Sequence, residues 1–258
     1  MRGVGWGAMT PRYEVIGVVG LPEIRRGDDL GRLIVEGAAA QATPIRDGDL
    51  LVVTQKVVSK AEGRVVRLAD ITASLAALAM ARELGRDPRL LELILRETRR
   101  IVRMDKGVLI VETRHGWVCA NAGVDQSNVD LDCASLLPED PDRSAQGLRE
   151  GIRQLTGIDM PVIISDTFGR PWREGLTNVA IGIAGLQPIQ SYLGDRDPAG
   201  HRLQATLLAT ADELAGAAEP VMGKLNRIPA AFIRGLAFER GEETSKGLLR
   251  DPSRDLFR

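Results

Sequence analysis

The chain has 258 residues, and its 34 Lys and Arg nearly cancel 35 Asp and Glu to leave a net charge of −1. That balance supplies no global basic field and argues against a nucleic-acid scaffold, while the length suits one large domain or two small ones. Hydrophobic residues make up 44% but aromatic ones only 3%, so the core must rest on Ala, Val, Leu and Ile, and no run approaches the ~20 apolar residues of a membrane span.

Residues 1–12 lack the apolar centre of a secretory signal and are expected to form a flexible tail. Tyr13 to Val19 is an apolar strand candidate. Gly27-Asp28-Asp29-Leu30 then offers Asp side chains to the free amide hydrogens of a helix's first turn. Asp47-Gly48 turns the chain into a buried strand, Leu50 to Val53, which breaks off into a polar stretch from Thr54 to Lys60. Ser74 to Leu84 has helical spacing with Leu75, Leu78 and Ala79 on its buried side and Gly85 at its end. Asp87-Pro88 opens another helix, whose buried stripe is Leu91, Ile94, Leu95 and Thr98. A hairpin follows: Val108 to Val111, a turn at Arg114-His115-Gly116, and Trp117 to Ala120 returning into a polar loop that ends at Asn128.

Pro138 and Pro141 precede a helix marked by Leu148, Ile152 and Leu155. Val162 to Ile164 is a short buried strand that stops at Asp166-Thr167, and a polar loop then runs to Asn178. Val179 to Leu186 is small and apolar, with Gly182 and Gly185 marking close backbone approach. Leu207, Ala211, Leu214 and Ala218 are in register for a helix bent or ended at Pro220, and Ile228 to Ile233 is a last strand. The division expected is a tail over 1–12, one domain over 13–240, and a charged, mobile tail over 241–258. Cys119 and Cys133, with no CxxC, cannot make a metal knuckle and point to buried thiols in a reducing, cytoplasmic setting.

The chain has no GxxxxGK[ST], no GxGxxG after a strand and, with two His, no HExxH. What recurs is an apolar strand followed by a polar stretch, at Thr54–Lys60, Asn121–Asn128 and Asp166–Asn178. Asp125 and Asp166 are the metal candidates, because magnesium and manganese prefer hard oxygen ligands completed by phosphates and water. Each acid is equally able to hydrogen-bond its own turn. Lys56 and Lys60 suit a phosphate as point charges, or simply solvent. Arg170 and Arg173 suit an anion clamp, or a surface ion pair with Glu174. Trp172 is a stacking platform or a lid, and His115 and His201 are turn residues.

Gly20-Leu21-Pro22-Glu23, Val53 to Arg64, Ala122 to Asn128 and Ser165 to Arg173 together resemble the coenzyme F420:L-glutamate ligase family, as do Ala211-Asp212-Glu213-Leu214 and Met222-Gly223-Lys224. The similarity covers about residues 13 to 240. It implies an unusual α+β mixed-sheet fold of two closely associated subdomains in an intertwined homodimer. It also implies a GTP-dependent enzyme that adds L-glutamate to F420-0 with Mg2+ or Mn2+ at two sites, assisted by K+. Guanine-nucleotide contacts would fall on Leu21, Pro22, Glu23, Ile24, Gln55, Lys60 and Asn128. Metals would fall on Asp125, Asp166 and Thr167, with Gln204 the substitute for a further ligand. The catalytic set implied is Asp125, Asp166, Lys60 and Arg173. On the same carboxylates, the alternatives are a metal-dependent phosphohydrolase and a non-catalytic nucleotide-binding subunit; neither nucleic acid nor membrane is an expected partner.

Overall fold

Leu50 to Val53 and Val162 to Ile164 are wholly buried, as continuous apolar runs must be when both faces of a sheet are covered. The computed structural model describes residues 10–105 and 107–255, so the tail expected over 1–12 falls mostly outside them. In chain order the elements are β1 (Glu14–Gly17), α1 (Leu30–Ala40), β2 (Leu50–Thr54), α2 (Gln55–Ala61), β3 (Val65–Arg67), α3 (Leu75–Leu84), α4 (Pro88–Glu97), β4 (Thr98–Asp105), β5 (Val108–Thr113) and β6 (Val118–Ala120). There follow β7 (Cys133–Ser135), α5 (Pro141–Thr156), β8 (Val162–Arg170), β9 (Arg173–Ala184), β10 (Gln190–Ser191), β11 (Leu207–Leu208), α6 (Thr210–Met222) and β12 (Ala230–Arg234). No helix among the described residues is long and apolar enough to cross a membrane.

The fold is α+β with a mixed central sheet in the order β1-β12-β2-β8-β9. β2 and β8 run parallel and the other pairs antiparallel. Alternation along the strands divides the core in two. Leu51, Val53, Val162, Ile164 and Phe232 pack against α1 and α5. Leu50, Val52, Ile163, Ala231 and Ile233 pack against α6. A third apolar cluster, including Leu91, Ile94, Leu109, Val111 and Ala134, joins α4 to the antiparallel β4-β5-β6 sheet and β7. Close approach of α5 to the central sheet needs Gly182: a Cβ there would lie 2.3 Å from the Pro141 carbonyl oxygen.

Several expectations change. Thr54 to Lys60 is not a polar loop; β2 passes directly into α2, with Val58 and Ser59 buried. Asp166 to Asn178 is not a loop either, because β8 continues to Arg170 and turns into β9 as a hairpin. α3 buries Ala77 and packs Met80, Ala81 and Leu84 inward, leaving Leu75 85% exposed. Positions 77, 80, 81 and 84 form a second stripe at helical spacing, and this one faces the core. Leu155 is exposed, and Leu207 lies outside the helix on the short strand β11.

Residues 241–249 of the charged C-terminal segment are packed back onto the fold, not loose. Ser245 is buried and donates to Asp142 through its amide (2.9 Å) and its hydroxyl (3.0 Å), and Glu242 pairs with Arg149 at 3.2 Å.

Candidate active site

The parallel register of β2 and β8 sets Thr54 beside Ser165, so both strands deliver their polar ends to one edge of the sheet. Open sheets commonly place ligand groups there. Lys56, in the first turn of α2, pairs with Asp125 and also donates to the Ser127 carbonyl at 2.8 Å and hydroxyl at 3.1 Å. Asp125 is held by a backbone bridge to Ser135, and its Oδ1 accepts from the Ser127 amide at 2.9 Å. Burial pushes the Asp125 carboxyl up, but its bonds from Lys56 and Ser127 outweigh that and leave it below the usual range.

Asp166 sits directly after the buried run of β8. Burial pushes its carboxyl up to about 6, with the charge of Asp125 adding to the effect and Lys224 and Lys56 opposing it. The two acids therefore share one electrostatic field with two lysines. The Cys119 thiol on β6 is pushed up to about 12, first by burial and then by the charge of Asp166. Both cysteines are free and buried.

Thr167 faces another group of partners. Its hydroxyl lies 2.9 Å from Asn178 Oδ1 on β9 and 2.9 Å from Lys224 Nζ just beyond α6, and Asn178 Nδ2 donates to Glu219 at 2.8 Å. Among the described residues, no group of three or more His, Cys, Asp or Glu is placed to hold a metal. Asp125, Asp166 and Thr167 nevertheless make a partial set of hard oxygen donors that fits magnesium or manganese completed by phosphate and water. Two of the three already meet a cation, Lys56 or Lys224, and the buried hydroxyl of Ser165, which precedes Asp166, has no hydrogen-bond partner among the described residues.

The remaining candidates are spread along the neighbouring segments. Lys60 pairs with Glu23, which ties α2 to the loop between β1 and α1. In that loop Ile24 is buried and Leu21 packs against the same core, while Pro22 and Glu23 are exposed. Gln55 is buried, and its carbonyl accepts from Ser59 at 3.0 Å. Asn128 is exposed in the left-handed region at φ 54°.

A cleft of about 310 Å3 on another side of α2 is lined by Asp28, Asp29, Val58, Glu62, Ser144 and Leu148. Its acidic rim would repel phosphate.

The family model described as F420-0:Gamma-glutamyl ligase matches residues 18–235. The chain belongs to that family. It is 45% identical over 247 residues to the coenzyme F420:L-glutamate ligase of Methanothermobacter thermautotrophicus, covering 95% of this chain and 98% of that protein. It is 46% identical over 241 residues to the coenzyme F420:L-glutamate ligase of Methanopyrus kandleri, covering 92% of this chain and 94% of that protein. The protein of the same name from Methanocaldococcus jannaschii is 40% identical over 250 residues, covering 96% and 97% of the two chains.

For this family member the structure sets Asp125 near enough for its charge to raise the Asp166 carboxyl, and Thr167 follows Asp166 on β8. Arg173 is placed differently: it pairs with Arg170 at the hairpin tip, four residues and roughly 13 Å along the strand from Asp166. Gln204 is exposed between β10 and β11, with no hydrogen bond to the acids among the described residues. Sequence reasoning missed Lys224 and Asn178 as partners of Thr167, and Glu219 as the partner of Asn178. Lys224 follows the helix-ending Gly223, where a basic residue is ordinarily read as a complement to the helix dipole.

Proposed function

We propose that this chain is a ligase joining L-glutamate to F420-0 in an amide bond, with GTP consumed at the edge formed by β2 and β8. The observation that carries the reading is the placement of Lys56 and Asp166 at the ends of two parallel strands, with Asp125 paired to Lys56 and Lys224 bonded to the adjacent Thr167, in a chain of this family. A carboxylate is a poor acyl donor, so amide formation needs it phosphorylated first. The carboxyl oxygen of F420-0 attacks the γ-phosphorus, the bond to the bridging oxygen breaks, and GDP leaves. The glutamate nitrogen then attacks the acyl carbon, phosphate leaves, and the amine proton passes to solvent.

In this reading Leu21 to Ile24, Gln55, Lys60 and Asn128 receive the nucleotide, with Glu23 giving up Lys60 to phosphate. Lys56 orients Asp125, and Lys224 meets the anionic groups arriving beside Thr167. Asp125, Asp166 and Thr167, with Gln204 as a further donor, would hold Mg2+ or Mn2+, which supplies charge neutralisation for phosphoryl transfer when bound; K+ assists. Arg173 and Arg170, on the projecting hairpin, suit the anionic coenzyme tail. The working unit is an intertwined homodimer of two-subdomain chains, which would cover Leu176, 65% exposed on that hairpin.

The test is mass spectrometry of the product from F420-0, L-glutamate, GTP and Mn2+. The expected outcome is addition of glutamyl residues, one GDP per amide formed, and arrest by excess chelator. Phosphate release that proceeds without glutamate and yields no amide would overturn the ligase reading in favour of a phosphohydrolase.

A further inference from the structure

We infer that Asn178 and Glu219 are positioning residues that turn the Thr167 hydroxyl proton away from the site and leave its oxygen there as an acceptor. The inference rests on the proposed role of Thr167 in the ligase site and deepens it. The direction of each hydrogen bond follows from the chemistry of the groups. A lysine ammonium only donates, so Lys224 Nζ at 2.9 Å makes Thr167 Oγ1 an acceptor on that side. A carboxylate only accepts, so the Asn178 atom 2.8 Å from Glu219 Oε2 is its NH2 group. The Asn178 carbonyl is then left facing Thr167 Oγ1 at 2.9 Å, and the threonine hydroxyl must donate to it.

All three bonds run one way, from Lys224 through Thr167 and Asn178 to Glu219, so each polarises the next. Asn178 is 3% exposed and lies opposite Thr167 in the β8–β9 register, so water does not compete for the middle of the row. It follows that Thr167 offers the site lone pairs only. It cannot hand a proton to a phosphate oxygen; its partner there is a cation or an N–H or O–H donor. Lys224 is such a partner, and a hard divalent cation is another. A simple tie between β9 and α6 would need a hydrogen bond from Asn178 to position 219, but not the negative charge that fixes which way the amide faces.

Glu219→Gln separates the two roles. Glutamine still hydrogen-bonds to Asn178, but the Asn178 amide is then free to face either way and no longer sets the threonine proton. Asn178→Leu removes the acceptor without changing any charge. Mn2+ is titrated calorimetrically into each full-length protein in about 1 M salt, where the loss of one through-space charge is screened.

The expected result is Mn2+ affinity about tenfold weaker or more in both variants, with the melting temperature of Glu219→Gln unchanged. Native-like affinity in Glu219→Gln would overturn the inference alone, whatever Asn178→Leu does. A native protein that takes up no Mn2+ would sink both the metal reading of the site and this inference with it.

Discussion

Two acids lie at opposite ends of the central sheet, and the protein treats them differently. Asp49, at the entry to β2, is fully buried and takes two hydrogen bonds from Arg234 at 2.8 and 2.7 Å, plus one from the Arg46 amide at 2.8 Å. Arg234 is itself pinned to the Pro44 carbonyl at 2.9 Å. Asp166, at the far end of the neighbouring strand, pairs with no arginine among the described residues and is pushed up to about 6 by burial, with only partial help from the Thr167 amide, Lys224 and Lys56. Charge buried with its partner holds a fold in one arrangement, whereas charge buried without one is held ready for something the chain does not supply. Under the proposed function, the difference separates an acid that keeps the structure from one that serves the chemistry.

The sharpest way to break that distinction is to neutralise each acid in turn. Asp166→Asn is expected to lower ligase turnover by about a thousandfold or more, since a preorganised charge at the proposed phosphoryl-transfer centre is removed. Its denaturation midpoint should fall little, because an asparagine carbonyl still accepts from the Thr167 amide and no buried arginine loses its counter-charge. Turnover within tenfold of native would show that Asp166 is not part of the reacting set. Asp49→Asn should do the reverse. It leaves the Arg234 guanidinium, 13% exposed, short of its counter-charge, at a cost of about 3 kcal/mol in unfolding free energy. Activity per folded molecule should be retained. A neutral effect on urea unfolding would mean that solvent already reaches the pair.

Much of the frame was legible in the sequence because its signals are local. Asp29 and Asp87 cap their helices, Gly85 ends α3 in the left-handed region, and the hairpin around Arg114-His115-Gly116 forms as its turn residues require. α2 was not legible: Thr54 to Lys60 is short and rich in β-branched and polar residues. It is helical because Val58 and Ser59 are buried under the fold, a tertiary choice that propensity does not carry.

The site divides in the same manner. Asp125 and Asp166 stood out because each follows an apolar strand. The row behind Thr167 did not, since Asn178 and Glu219 are 41 residues apart and meet only through the β8–β9 register and the placement of α6. The residues alone did not separate Lys56 from Lys60. The structure pairs Lys56 with Asp125 and, one turn later on the same face of α2, Lys60 with Glu23.

Glu92 extends the comparison to the third apolar cluster and has the smallest expected effect. Its carboxyl is held down to about 2 by hydrogen bonds from Ser74, at the start of α3, and then from Arg96, one turn along α4. A carboxyl lowered on folding stabilises the native state above its unfolded value, near 4.5, and that contribution is lost as pH falls from there through about 2. The shift alone would correspond to about 3 kcal/mol, but Arg96 is 52% exposed, so solvent screening reduces the expectation to about 2 kcal/mol.

Glu92→Gln should therefore be less stable than the native chain by about that amount at pH 6, with the gap closing as the pH is lowered towards 2. Urea midpoints of both proteins across that range measure it. A gap that stays constant with pH would show that the charge of Glu92 is not what joins α3 to α4, and that the hydrogen bond to the Ser74 amide is enough in either protonation state.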